Sequence, residues 1–135
     1  MKKSKLQITK QILISGIPVS KTSYGDAFSA QVLRDCEELA LKAIVENNFQ
    51  ITGEEVELLR KHLNFKVRQF AALFKVSHPA VLKWEKSREP LDSYTQLAIK
   101  YFISDRFKVR LPKFDKILSP EKGSTKLPFI EAKAA

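Results

Sequence analysis

Six cationic side chains lie within the stretch from Asn64 to Arg88, which contains only one carboxylate. The cations are Lys66, Arg68, Lys75, Lys83, Lys86 and Arg88, and the carboxylate is Glu85. Apolar residues recur in the same stretch, among them Val76, Val81 and Trp84. A helix with one apolar face and one cationic face can join a core on one side and a polyanion on the other. The pattern therefore predicts a helix that contacts DNA.

Catalytic chemistry finds little support in the residue types. The chain has no glycine-rich phosphate loop, no nucleophile motif and no cluster of metal ligands, so we expect no enzyme activity, no cofactor and no metal. The single cysteine, Cys36, excludes an internal disulfide framework and lies on an apolar stripe, which favours a buried structural thiol. His62 lies on a charged helix face and is expected to be solvated.

The bulk composition is that of a small globular protein. The chain has 135 residues, of which 44% are hydrophobic and 29% charged, and a net charge of +9. The opening "MKKSK" resembles the start of a signal peptide, but polar residues interrupt the apolar segment that a signal peptide would need next. No apolar run approaches the roughly 18 residues that a membrane span needs. We therefore expect a cytoplasmic protein without a membrane partner.

Residues 1–50 are predicted to form a small β hairpin or meander followed by a long helix. Short β-rich runs lie around Ile8–Ile14 and Ile17–Ser20, and Gly16 separates them. Ser29 is suited to cap the helix "AQVLRDCEELALKAIVENN", in which apolar residues recur at intervals of three and four. This region is assigned to dimerisation or to binding a partner protein.

Residues 51–107 are predicted to hold four helices. Thr52 and Glu55 have the spacing of a capping box, in which each residue satisfies an amide of the other. Asn64 can adopt the left-handed turn that ends the first helix. The second helix is expected to cover about Val67–Phe74.

The third helix is expected to begin after Ser77, with Pro79 in its first turn, where the amides have no helical partner. Asp92 or Ser93 is expected to cap the fourth helix and to lead into an apolar face. That predicted face consists of Tyr94, Leu97, Ala98, Tyr101 and Phe102. The remaining residues, 108–135, are basic and contain prolines, so they are predicted to form an extended arm, ordered only if something holds it.

Three short helices joined by tight turns follow the plan of a helix-turn-helix, whose second helix of the pair enters the major groove. Val81 and Trp84 anchor that helix inward. The residues expected to contact bases are His78, Pro79, Ala80 and Lys83. The residues expected to contact phosphates are Lys66, Arg68, Gln69, Ser77, Lys86 and Arg88.

The stretch "LLRKHLNFKVRQFAALFKVSHPAVLKWEKSREP" resembles the Xre (Cro/repressor) helix-turn-helix family. The positions in register with the family pattern are Leu59, Arg60, Phe70, Ala71, Val76, Ser77, Val81, Trp84, Glu85 and Pro90. Lys66 and Val67 stand where the family has a Ser or Thr cap followed by Gln, and Arg68 or Gln69 is expected to substitute for that Gln. Lys75 replaces the turn glycine and must accept a strained or altered turn.

The N-terminal region is similar to that of MqsA-type antitoxins, and HigA-type antitoxins have a similar Xre module without zinc. Thr22 and Tyr24 lie about where one of the two zinc-binding cysteine pairs of the MqsA type would fall, and no cysteine is present there, so the resemblance implies that the metal is lost. It further implies a homodimeric repressor of a pseudo-palindromic operator, and an antitoxin that neutralises a toxin. Two alternatives stay open: a stand-alone or phage-type repressor, and a helix-turn-helix that has become a protein-docking module.

Overall fold

The computed structural model describes residues 3–130, except for the side chain of Asp26. The chain divides into two compact units, Met1–Ala40 with Gly123–Ala135 and Leu41–Lys122. Helices make up 49% of the structure and are accompanied by a small sheet, so the predicted mainly α class holds only coarsely. The two units differ from the three consecutive regions, 1–50, 51–107 and 108–135, that the sequence suggested.

The first unit contains the predicted hairpin. Strands β1 (Lys3–Thr9) and β2 (Ile12–Pro18) pair antiparallel. The turn lies at residues 10–11, so the β-rich run over Ile8–Ile14 crosses it instead of forming one strand. Gly16 does not end a strand but lies inside β2 with a φ of +72°, where the register between the strands shifts. A bulge with positive φ favours glycine, because glycine has no Cβ to clash.

The described residues of the first unit form three further strands. Strands β3 (Ser20–Thr22) and β4 (Gly25–Ala27) form a separate two-stranded ribbon. Strand β5 (Thr125–Pro128) pairs parallel with β2, which gives the sheet order β1-β2-β5.

The C-terminal segment is therefore more ordered than an extended arm. Gln11, which is buried, holds the approach to β5: its side-chain oxygen accepts the Gly123 amide at 2.8 Å, and its carbonyl accepts the Thr125 amide at 2.8 Å. The prediction of an arm missed this pairing because the partner residues are more than a hundred positions apart. Residues 131–135 of the predicted arm lie outside the described residues.

Helix α1 (Ala30–Glu46) begins and ends as predicted. The Ser29 hydroxyl accepts the Val32 amide at 3.1 Å, which confirms the cap. Asn48 adopts a φ of 52° and ends the helix, with the Phe49 amide bonded to the Ile44 carbonyl at 3.0 Å. A left-handed residue followed by such a bond is the usual Schellman ending.

The second unit contains five more helices in the described residues: α2 (Gly53–His62), α3 (Val67–Leu73), α4 (His78–Lys86), α5 (Ser93–Phe107) and α6 (Phe114–Ile117). The predicted caps are present at α2, where the Thr52 amide donates to the Glu55 carboxylate at 3.1 Å, and at α5, where the Asp92 carboxylate accepts the Thr95 amide at 3.1 Å. The local capping signals therefore placed these helices correctly.

The predicted apolar face of α5 is not the face that the helix buries. Tyr94 and Tyr101 are 71% and 61% exposed, whereas the buried positions of the helix are Gln96, Ile99, Lys100 and Ile103. Gln96 can face inward because both ends of its side-chain amide are hydrogen-bonded there. It accepts the Ile51 amide at 2.9 Å and donates to the Leu91 carbonyl at 2.7 Å.

Lys100 is fully buried within the second unit. Its ammonium donates to Asn48 Oδ1 at 2.8 Å, and Asn48 Nδ2 donates to the Lys116 carbonyl at 2.6 Å. Burial lowers the pKa of Lys100 from 10.5 to about 8, because the charged form is removed from water.

This lowered pKa predicts a pH dependence of stability. Below pH 8 the folded protein holds a buried ammonium, which costs about 3 kcal/mol relative to the solvated ammonium of the unfolded chain. Between about pH 8 and pH 10.5 the folded state holds the neutral amine while the unfolded state still binds a proton, so the cost disappears as the pH rises. Any stability advantage of Lys100→Met over the wild type should therefore shrink between pH 7 and pH 10 in urea unfolding.

The matched control is Lys113→Met, which removes an exposed lysine. Its unfolding free energy should run parallel to that of the wild type over the same pH range. Parallel curves for Lys100→Met as well would contradict the assignment.

Candidate nucleic-acid interface

Helices α2, α3 and α4 follow one another through two short turns. The first turn contains Asn64 at a φ of 59°, as predicted, and the second contains Lys75 at a φ of 58°. The Val76 amide bonds the Ala71 carbonyl at 3.0 Å, so the second turn has ordinary Schellman geometry. Lys75 thus accepts the strained conformation without altering the turn.

Helix α4 begins at the predicted cap. The Ser77 hydroxyl oxygen accepts the Ala80 amide at 3.2 Å, and Pro79 occupies the first turn. The first amides of a helix have no partner within it, so proline costs nothing there. The end of α4 that carries the candidate base contacts is therefore fixed by local chemistry.

The inward side of α4 packs on α3 and α2. Val81, Phe70 and Ala71 are buried, and the Phe74 and Trp84 rings meet edge to face with centroids 6.3 Å apart. Trp84 is half-buried, in keeping with its predicted role as an anchor. These contacts turn the opposite side of α4 outward.

Gly53 sets how closely α2 approaches the end of α4. A Cβ at this position would lie 2.4 Å from the Glu85 carbonyl oxygen and 2.5 Å from that of Trp84. The Gly53 amide instead donates to the Ser87 carbonyl at 2.9 Å. The sequence analysis missed this residue, because a glycine at the start of a helix carries no signal of the distant backbone that it touches.

Arg60 and Glu85 form a largely buried ion pair between α2 and α4. Arg60 Nε lies 2.6 Å from Glu85 Oε2 and its second amino group donates to Oε1 at 3.0 Å, while the remaining amino group donates to the Phe65 carbonyl at 3.0 Å. The two side chains are 14% and 8% exposed. The hydrogen bonds to Glu85 raise the pKa of Arg60 above its usual value.

This pair removes the one negative charge from the cationic stretch. Glu85 is turned inward, whereas all six cations of residues 64–88 are exposed. None of the six forms an ion pair with a carboxylate of the described residues. The surface of α3, α4 and their turn is therefore positively charged and available to an anion.

The four candidate base contacts lie on α4 with different exposures. Pro79 and Lys83 are exposed, and His78 and Ala80 are half-buried. The Nδ1 atom of His78 is shielded from solvent and has no hydrogen-bond partner in the described part of the chain. Contact between this histidine and a base would therefore use Nε2.

The candidate phosphate contacts differ in how much of each side chain is already engaged. Lys66, Arg68, Lys86 and Arg88 are exposed. The Gln69 side-chain oxygen accepts the Lys66 amide at 2.8 Å and so caps α3, which leaves only its amide hydrogens for a phosphate. The Ser77 oxygen is used in capping α4, and its hydroxyl hydrogen can still donate.

Two other residues were candidates for chemistry. Cys36 is buried, as predicted, and burial together with the charges of Asp35 and Glu37 raises the pKa of its thiol to about 11, which makes it a poor nucleophile. His62 is not solvated as expected but 5% exposed, with its ring 5.9 Å from that of Phe107.

Neither a metal centre nor a membrane-spanning helix is present in the described residues. They contain no group of three or more His, Cys, Asp or Glu side chains placed to hold a metal. None of their helices has the length and apolar character for crossing a bilayer. Comparison with protein-family models, curated proteins and solved structures finds no match for this chain.

The Arg60–Glu85 pair predicts strong coupling between the two residues. Arg60→Met or Glu85→Met alone should lower the free energy of unfolding by about 3 kcal/mol, because each leaves a partner that is buried without its counter-charge. The double variant Arg60→Met/Glu85→Met should lose less free energy of unfolding than the two single variants lose together. Urea unfolding of the four proteins measures the coupling, and additive losses would contradict it.

The strained turn predicts a stabilising substitution. Lys75→Gly should raise the unfolding free energy by up to about 1 kcal/mol, because glycine adopts a φ of 58° without a Cβ clash. Lys122→Gly is the control and should not stabilise, because Lys122 is exposed, lies outside the helices and does not have a positive φ. Equal changes in melting temperature for both variants would show that the turn stores no strain.

Proposed function

We propose that this protein is a sequence-specific DNA-binding repressor that inserts α4 into the major groove. The observation that carries the proposal is the outward face of α3 and α4, on which six cations are exposed while the only carboxylate of the stretch is paired with Arg60. Phosphates are the anions that such an extended cationic surface fits best. The resemblance of this stretch to the Xre family supports the same function.

The arrangement of side chains supports base contacts by one set of residues and phosphate contacts by another. Lys83 and Pro79 project from the side of α4 opposite Val81, where a helix in the groove meets base edges. Arg68 at the start of α3 and Lys86 and Arg88 around the end of α4 flank that face, where they would meet phosphates.

A single recognition helix reads only a few base pairs. Specific binding therefore calls for two copies on a pseudo-palindromic operator, with half-sites about one helical turn apart. We accordingly propose that the homodimer is the DNA-binding form.

The more specific proposal is that the repressor is the antitoxin of a type II toxin–antitoxin pair, which represses its own operon and neutralises the toxin. It rests on the resemblance of the N-terminal region to antitoxins. The ribbon of β3 and β4 offers a contact point, since Tyr24 lies between these strands and is 99% exposed. Co-expression with the product of the adjacent gene tests this part: a stable complex supports an antitoxin, and no complex favours a stand-alone repressor.

DNA contacts predict different effects for two substitutions. Selection from a random duplex library at about 150 mM salt should recover a palindromic motif with the wild type. Lys83→Ala should relax the preference at one position of each half-site and cost about 1–3 kcal/mol on the preferred sequence. Arg68→Ala should weaken binding to all sequences alike. It should also reduce the slope of log affinity against log salt concentration by the amount expected for about one phosphate contact.

Both variants change exposed residues, so circular dichroism should show unchanged folding. If Lys83→Ala weakens binding to all sequences equally, Lys83 does not contact a base. If Arg68→Ala leaves the salt dependence of binding unchanged, Arg68 does not contact a phosphate. No enrichment by the wild type would refute the proposed function and favour the protein-docking alternative.

A further inference from the structure

An apolar groove runs along the exposed side of α5, within the second unit. It has a volume of about 540 Å³. Its lining residues are Leu73, Phe74, Tyr94, Leu97, Ala98, Tyr101, Phe102 and Asp105. Six of these eight belong to α5 and recur at intervals of three and four, so they form one face of that helix. Five of the six form the apolar face that the sequence predicted for this helix.

The groove exposes aromatic surface that the fold leaves uncovered. Tyr94, Tyr101 and Leu73 are 71%, 61% and 44% exposed. Three neighbouring side chains of this size, at this exposure, exceed the scattered apolar residues that a protein surface normally shows. The only ionisable carboxylate of the lining, Asp105, lies at one end of the face.

The order of residues along this face is self-complementary. Its midpoint falls between Ile99 and Lys100, and the six residues of α5 form three pairs that are equidistant from it. These pairs are Ala98 with Tyr101, Leu97 with Phe102, and Tyr94 with Asp105. A small residue is thus matched with a large one, two apolar residues with each other, and a hydroxyl donor with a carboxylate acceptor.

We propose that the occupant of this groove is α5 of a second copy of this chain, packed antiparallel about a two-fold axis through that midpoint. A two-fold contact needs one patch that complements itself, which the three pairs provide. Each Tyr101 ring would cover Ala98 of the second copy. Each Tyr94 hydroxyl would donate to Asp105 of the second copy, so that both ends of the face are closed by a charge-assisted hydrogen bond.

The area of the face fits a reversible dimer. At about 200 Å² per buried tyrosine, the exposed parts of Tyr94 and Tyr101 would supply on the order of 500 Å² over two copies. Leu73 and the half-buried lining add to this, toward the roughly 1,200 Å² at the lower end of stable interfaces. Interfaces at or below that size are typically weak, so the dimer is expected to dissociate in the micromolar range.

The proposed dimer interface is independent of the proposed function. Self-association can be measured in the absence of DNA. Sedimentation velocity of the full chain from 1 to 200 µM should show a monomer of 15.4 kDa in equilibrium with a dimer. Tyr94→Asp should raise the dimer dissociation constant at least about tenfold, because it places two carboxylates opposite each other at each end of the interface.

The double variant Tyr94→Asp/Asp105→Lys tests the antiparallel register. Each new aspartate would then face a lysine of the second copy, and dimerisation should return to within about threefold of the wild type. The two positions lie about 16 Å apart along one helix, so they cannot rescue each other within a chain. Tyr24→Asp is the control, since it makes the same change at an exposed tyrosine outside α5.

Each outcome tests a different part of the proposal: the dimer, its interface and its antiparallel register. A monomeric wild type up to 200 µM would overturn the proposal and point to a different protein as the occupant. A dimer that Tyr94→Asp leaves intact would place the interface elsewhere, and a double variant that stays monomeric would refute the antiparallel register. Failure of this dimer leaves the DNA-binding proposal standing if the monomeric variant still binds a half-site.

Discussion

The ion pair between Arg60 and Glu85 is the interaction on which the arrangement of α2, α3 and α4 depends. It joins the end of α2 to the end of α4 with two hydrogen bonds at 2.6 and 3.0 Å, and a third bond holds the chain at Phe65. Gly53 complements the pair by letting α2 start directly against the α4 backbone. The same pair also decides the electrostatics, because it withdraws the only carboxylate from a surface of exposed cations. The pair thus helps the buried contacts of Val81 and Trp84 to orient α4, and it leaves only cations among the exposed charged residues of α3, α4 and their turn.

Local signals account for the features that could be predicted from the sequence. Ser29, Thr52 with Glu55, Ser77 and Asp92 cap helices where expected, because a cap satisfies amides only three residues away. The parts that could not be predicted depend on residues far apart in the chain. The pairing of β5 with β2, the contact at Gly53 and the inward turn of Gln96 all need partners that no local pattern reveals.

Helix α5 shows that periodicity alone does not tell which face of a helix is buried. Both of its sides have residues at helical spacing, and the more aromatic side is exposed while the side with Gln96 and Lys100 is buried. Polar side chains normally indicate an outward side, yet Gln96 is matched by two backbone groups and Lys100 by Asn48. The aromatic side is left exposed, and we propose that a second copy of the chain covers it. Helix α5 thus buries its polar side within the chain and exposes its aromatic side.

The most direct test of the central claim compares two proteins of equal charge. Lys83→Glu/Lys86→Glu reverses two charges on α4, and Lys113→Glu/Lys122→Glu reverses two exposed charges outside the three helices, so each lowers the net charge from +9 by four. Binding of a generic 20-bp duplex is measured by fluorescence anisotropy at about 50 mM salt, where phosphate contacts dominate affinity. With a DNA interface on α4, the α4 variant should lose most of its binding while the control retains it. Equal losses in both variants would show that net charge alone attracts DNA and would contradict an interface on α4.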